Sequence, residues 1–222
     1  RFCDWSSDVC SSDLSGRRFT STELSSNAVI AIRIENLDNA PTTGDIPVSY
    51  ILDSNPPVIE TIVAPDIPAR GVYTYTFTTT ADMSAVGSYD LRASVSYAGD
   101  PVIKNDTLVA TFKQLDNSPI DLTTDFFDDI EGAAVQSHTA PQIGLQGLDR
   151  YDFTTTTAFG QIRSFINSGI AYSGNKALTL DADRFNAGTT DSLTATFNLQ
   201  GYDAAIDEVR LDFVYKHHGH RF

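Results

Sequence analysis

The sequence predicts an all-β protein built as two stacked-sheet sandwiches, and three observations carry that expectation. The first is strict alternation through residues 72–97. Tyr73, Tyr75 and Phe77 fall on one face against Thr74, Thr76 and Thr78, and Tyr89, Leu91, Ala93, Val95 and Tyr97 fall opposite Ser88, Asp90, Arg92, Ser94 and Ser96. Successive side chains of a strand point to opposite faces, so a period of two marks a half-buried strand. The second is turn chemistry recurring every 8–12 residues across the first half, the rhythm of short sandwich strands. The third is size: 222 residues leave room for two sandwich domains of roughly 100 residues each.

In order, residues 25–36 alternate Ile30, Ile32 and Ile34 with Ala31, Arg33 and Glu35, and Asn36 stops the strand. Residues 36–44 are rich in Asn, Asp, Pro and Thr, which favour turns. Strands follow at 46–52 and 58–63, separated by Asn55-Pro56-Pro57. The turn P-D-I-P-A-R-G at 65–71 leads into the central pair, whose connection ends in Gly87-Ser88-Tyr89. A Tyr just after such a turn often sends its hydroxyl back to upstream backbone, as a tyrosine corner. A-G-D-P at 98–101 makes another turn, and a last strand runs through 102–112.

Several of these segments resemble the bacterial cell-adhesion-related (CARDB) domains. They are I-R-I-E-N at 32–36, I-P-A-R-G at 67–71, F-T-T-T-A-D-M-S-A-V-G-S-Y at 77–89 and N-D-T at 105–107. The resemblance covers about residues 24–113 and implies an Ig-like β-sandwich serving as a spacer or adhesion module outside the cell. Asn105-Asp106-Thr107 also fits the N-glycosylation pattern, with a turn leading into a strand as the plainer reading.

The expected division is 15–113 for the first domain, 114–124 for a polar linker with a central Pro, and 125–222 for the second. In the second, residues 161–166, 176–181, 192–199 and 209–215 read as strands, and 136–148 as a loop. D-F-F-D-D-I-E-G at 125–132, S-G-N-K-A-L-T-L-D at 173–181 and L-D-F-V-Y-K-H-H-G at 211–219 resemble a concanavalin A-like or MAM-like jelly roll. The strands present are fewer than a full jelly roll needs. The expectation is therefore a partial jelly-roll sandwich with an open edge near Tyr215.

Residues 3–14, C-D-W-S-S-D-V-C-S-S-D-L, resemble a translated sequencing adapter, since their last part can be written GAC GTG TGC TCT TCC GAT CT. Residues 1–14 are accordingly expected to be an unstructured artefact. Both cysteines, Cys3 and Cys10, lie there, so cysteine usage says nothing about redox compartment.

The formal net charge of −14 disfavours nucleic acid and anionic lipid as partners. No apolar run reaches the length of a membrane span, so membrane insertion is not expected. An acidic, Thr- and Ser-rich, lysine-poor surface fits an extracellular or cell-surface location.

Candidate sites are few. Asp128, Asp129 and Glu131 crowd one stretch and could offer hard oxygen ligands to a structural Ca²⁺. A solvated acidic segment is the competing reading, and no D-x-D-x-D-G loop is present. The same D-D-I-E lacks the E-x-D-x-x-E alternation of some jelly-roll glycosidases. His217, His218 and His220 cluster without the H-E-x-x-H helix of a zinc peptidase, and His138 stands alone. No nucleophile elbow, P-loop or dinucleotide fingerprint occurs. Tyr50, Tyr73, Tyr75 and Phe77 could stack sugars, but at strand spacing they read more simply as core.

The sequence thus points to a non-enzymatic protein with no catalytic residues and no cofactor beyond a possible Ca²⁺. Its expected partners are other domains of the same polypeptide and, beyond them, a glycan or surface protein. The alternative is an ancillary, glycan-binding region of a secreted peptidase or glycoside hydrolase whose catalytic domain lies elsewhere.

Overall fold

In the computed structural model, residues 3–4, 18–133, 137–139, 145, 147–155, 162–169, 171–182 and 191–216 are described. Among them the chain is all-β, with no α-helix and a 3-10 turn at Ile103–Asn105. It divides into two compact units, Arg1–Leu115 and Asp116–Phe222.

The first unit contains β1 (Cys3–Asp4), β2 (Arg18–Ser21), β3 (Ala31–Glu35), β4 (Ile46–Leu52), β5 (Val58–Ile62), β6 (Val72–Thr76), β7 (Gly87–Val95) and β8 (Thr107–Gln114). One sheet has the order β1-β3-β6 and the other β2-β8-β7-β4-β5. All neighbours are antiparallel except β2, which runs parallel to β8. The alternation read from the sequence for β3 and β7, and the same period in β4 and β8, set which side chains meet between the sheets. Ile32 and Ile34 of β3 pack with Val48, Tyr50 and Leu52 of β4, Leu91, Ala93 and Val95 of β7, and Leu108, Ala110 and Phe112 of β8. Leu91 is fully buried, whereas Asp90 and Arg92 beside it are exposed. Tyr89 packs half-buried against the core, and its hydroxyl donates to the Ala85 carbonyl at 2.7 Å, the back-bond anticipated from its place after the turn.

Asn36 binds two turns together. Its side chain is 1% exposed. The amide Nδ2 donates to the carbonyls of Ala40 (2.8 Å), Ile67 (3.1 Å) and Pro68 (3.0 Å), while Oδ1 accepts from Asp38 N at 3.0 Å. Its backbone N–H donates to Gly71 O at 2.8 Å. The chain doubles back so tightly here that a Cβ on Gly71 would lie 2.9 Å from the Pro68 carbonyl oxygen. Glycine alone leaves that space open.

Several expectations are corrected. Residues 102–106 are not strand: the 3-10 turn occupies Ile103–Asn105, and β8 starts at Thr107. Asn105-Asp106-Thr107 is therefore a turn leading into a strand. β2 was not foreseen, because four residues are too short to show a period. Residues 1–14 are not wholly without structure: Cys3 and Asp4 pair with Ile34 and Arg33. That rung is made by backbone groups, which any sequence can supply. Cys10 lies outside the described residues.

The second unit contains β9 (Ser137–Thr139), β10 (Tyr151–Thr155), β11 (Ile162–Ser168), β12 (Lys176–Ala182) and β13 (Asp191–Ala195). β12-β11-β9 form one antiparallel sheet, and β10 pairs with β13. Ala133, Leu145 and Leu148 form a small core with Ile130, Tyr151, Leu178 and Leu193 against it. β9 lies inside the expected loop at 136–148.

The expected linker at 114–124 is also not free. Gln114 ends β8, and Leu115 N donates to Ser21 O at 2.7 Å in the first unit. Asp116 N bonds Asp149 O at 2.9 Å and Ile120 N bonds Asn198 O at 3.0 Å, while Leu122 N donates to the Tyr202 hydroxyl. The Asp116 carboxylate meets Arg150 at 2.7 Å. Residues 209–215, expected as a strand, join no ladder among the described residues and are exposed throughout.

Replacing Asn36 by Ala removes its three donated bonds and the acceptor of Asp38 N, although the Ile67 and Pro68 carbonyls keep bonds from Thr42 N and Gly71 N, and urea unfolding should show a loss of roughly 2–4 kcal/mol. Arg92→Ala, on the solvent face of β7, should stay within about 0.5 kcal/mol of the parent.

Candidate functional site

Two carboxylates gather most of the hydrogen bonds that could signal chemistry, one in each unit. Glu60 sits on β5 in phase with Val58 and the buried Ile62, so the pleat turns its side chain inward while Ile59 is exposed. Its oxygens accept from the Tyr75 hydroxyl (2.6 Å), Thr78 N (3.0 Å), Thr78 Oγ1 (2.7 Å) and Thr79 N (3.1 Å). Desolvation by itself would push this carboxyl up. The hydrogen bonds from Tyr75, Thr78 and Thr79 together outweigh it and bring the group down to about 2. The hydrogen bond to Glu60, followed by desolvation, raises the Tyr75 hydroxyl to about 12. β5 belongs to one sheet and β6 to the other, so this carboxylate ties the two sheets together at their rim.

In the second unit Glu131 Oε1 accepts from Asn175 N (2.7 Å) and Lys176 N (2.6 Å). The Lys176 ammonium in turn donates to the carbonyls of Glu131 and Ala133. Gly174 has φ +68°, and a Cβ there would lie 2.5 Å from Glu131 Oε1. The S-G-N-K turn is thus shaped around the carboxylate.

The Ca²⁺ candidates are spread over separate bonds. Asp128 Oδ1 accepts from Ile130 N and Asp129 Oδ1 from Glu131 N, each at 3.0 Å. Burial, with a hydrogen bond to Asp128 second, raises the Tyr151 hydroxyl above the usual phenol range. Glu131 is held by the β12 turn as described. Among the described residues no group of three or more His, Cys, Asp and Glu side chains could share a metal ion. Asp128, Asp129 and Glu131 are neighbours in sequence that the structure does not bring together as a ligand set. His138 lies in β9, and His217, His218 and His220 lie outside the described residues.

The four aromatics do not form an open platform. Tyr50 and Phe77 are each 3% exposed and meet edge-on, with centroids 4.9 Å apart. Tyr75 meets Phe77 in the same way at 5.3 Å. Exposed rings occur instead in the second unit, at Phe127 and Tyr172.

Sequence reasoning did not single out Glu60 or Asn36. The available signal for Glu60 was its phase: a charge sharing parity with Val58 and Ile62 must find partners if that face is inward. In the sequence Asn36 reads as the end of a strand and the start of a turn-rich stretch, with no sign of its side-chain partners.

Together the fold and these clusters define an all-β protein of two units whose well-bonded carboxylates join strands to turns. A scan against protein-family models matches none, and a search of the curated proteins finds no match.

The Glu60–Tyr75 bond should leave a pH signature. Glu60 has its folded pKa depressed, so its contribution is present above the ordinary value of 4.5 and lost as pH falls toward about 2. Tyr75 has its folded pKa raised, so its contribution is present below 10 and lost as pH rises toward about 12. Unfolding free energies of Glu60→Gln should be lower than the parent at neutral pH and flatter on both limbs. Gly174→Ala, which combines positive φ with the Glu131 contact, should destabilise by roughly 1–3 kcal/mol in thermal unfolding.

Proposed function

We propose that the chain is a non-catalytic piece of an extracellular or cell-surface protein of bacterial type, in which an Ig-like sandwich spaces or orients a partial jelly-roll unit for adhesion. The observation that carries this reading is the use made of the polar groups. Glu60, Asn36 and Glu131 all spend their hydrogen-bonding capacity on strands and turns of their own unit. A reacting carboxylate would instead be aimed at a cleft with its proton affinity tuned toward neutrality. Glu60 is moved the other way.

The Ig-like part of the reading is supported by strand order. β5-β4-β7-β8 in one sheet lies opposite β3-β6 in the other, with β2 parallel to β8 at the edge. The tyrosine back-bond at Tyr89 adds to it. The partners are other domains of the same polypeptide, followed by a glycan or surface protein.

A glycan-binding role for the second unit is favoured by a separate observation, the exposed rings of Phe127 (73%) and Tyr172 (84%). Exposed aromatics supply flat apolar area for a sugar face. In that reading the chain is the ancillary region of a secreted peptidase or glycoside hydrolase.

The purified full chain should turn over neither peptide nor glycoside substrates, and measurable turnover abolished by Glu60→Gln or Glu131→Gln would overturn the non-catalytic reading. On a glycan array, the ancillary reading expects binding that Phe127→Ala and Tyr172→Ala each weaken at least about tenfold, corresponding to one lost stacking contact. Silence across all polysaccharide classes would remove it.

A further inference from the structure

Residues 209–215 of the second unit, V-R-L-D-F-V-Y, carry the alternating pattern of a strand yet belong to no ladder among the described residues. Two pairs of side chains two residues apart show the period. Arg210 Nη2 meets Asp212 Oδ1 at 2.8 Å, and the rings of Phe213 and Tyr215 lie 6.1 Å apart. In strand phase Arg210 and Asp212 share one face with Val214, and Val209, Leu211, Phe213 and Tyr215 share the other. Among the described residues nothing covers the apolar face: Leu211 is 70%, Phe213 74% and Tyr215 79% exposed. An amphipathic segment with an open backbone edge is a template for pairing.

We propose that this segment is where two copies of the chain associate, each supplying residues 209–215 as one strand of an antiparallel pair centred on Leu211. Charge complementarity selects both the occupant and the register. About Leu211, Arg210 of each copy stands opposite Asp212 of the other, so the pair of opposite charges occurs twice. Val209 then faces Phe213 on the apolar side, and Leu211 faces its own copy. Sliding the register to centre on Arg210 or Asp212 sets that charge against itself. A parallel in-register pair opposes every charge with its like. Opposite charges directly across a strand pair stabilise it and like charges destabilise it. The two-fold axis through Leu211 uses one patch on both copies, so the contact closes as a dimer.

The test uses the full chain with Cys3→Ser and Cys10→Ser as the parent. Sedimentation should show a concentration-dependent dimer. Arg210→Asp, which makes both cross-strand pairs repulsive, should weaken it at least about tenfold. Adding Asp212→Arg to that variant should restore it, because the exchanged charges again face their opposites. Leu211→Cys should form an intermolecular disulfide under mild oxidation, since directly opposed Cα atoms lie within about 4.5–5.5 Å. Arg210→Cys and Asp212→Cys should not link to themselves. Far-UV circular dichroism checks that Arg210→Asp is folded, and the Leu211→Cys readout stands independently of it. A chain that stays monomeric at every concentration overturns the proposal. So does slow amide exchange across 209–215 in a monomer, which would show the segment covered by its own chain. A dimer indifferent to Arg210→Asp, or one that links through Asp212→Cys instead of Leu211→Cys, overturns it as well.

Discussion

Backbone polar groups that leave the sheets must still be bonded, and in both units one side chain meets that demand for two distant turns. Asn36 holds the carbonyls of Ala40, Ile67 and Pro68 and so joins the turn after β3 to the turn before β6. Glu131 accepts from Asn175 and Lys176 and so joins the segment before the second core to the start of β12. Each acts where the ladder stops, Asn36 buried from water and Glu131 at a partly exposed turn. There an unpaired carbonyl or N–H costs more than a typical hydrogen bond returns. Strand pairing builds the sheets, but these side chains decide where the chain turns between them.

The same logic explains the charges. Glu60 looks functional by its displaced proton affinity, yet its partners are a tyrosine on the opposite sheet and two threonines following it. Structural hydrogen-bond networks shift pKa values as readily as active sites do, and only the direction and the aim of the group separate the two. Held strongly acidic and facing its own fold, Glu60 is a tie between sheets. The crowded carboxylates at 128–131 follow the same pattern, since Asp128 and Asp129 each bend back to a nearby backbone N–H. Proximity in sequence gave them a common address without a common target.

The two units differ in how fully their strands are satisfied. In the first, β3, β4, β7 and β8 bury their apolar faces in one shared core, to which 18 of the described residues belong as buried members. In the second, the described core has three fully buried residues, and the apolar side of 209–215 lies in the open. A strand needs both a covered face and a paired edge, and this segment has neither within the described residues. Its pattern of charge and apolar groups is nevertheless that of a strand, which makes it the natural place for the molecule to recruit another.

By itself the sequence determined the all-β class and the inward face of β3, β6 and β7, because a period of two is a local property that burial then has to respect. It also determined the tyrosine back-bond at Tyr89, which spans only four residues. Only the tertiary structure decided that β2 runs parallel beside β8, that Tyr50 and Phe77 meet in the core, and that residues 116–122 are built into the second unit. The same holds for the meeting of Glu60 with Tyr75 and of Glu131 with the β12 turn. Those partners are 15 and 44 residues apart. Their contact follows from how sheets stack and where turns return, and no local pattern of side chains encodes that distance.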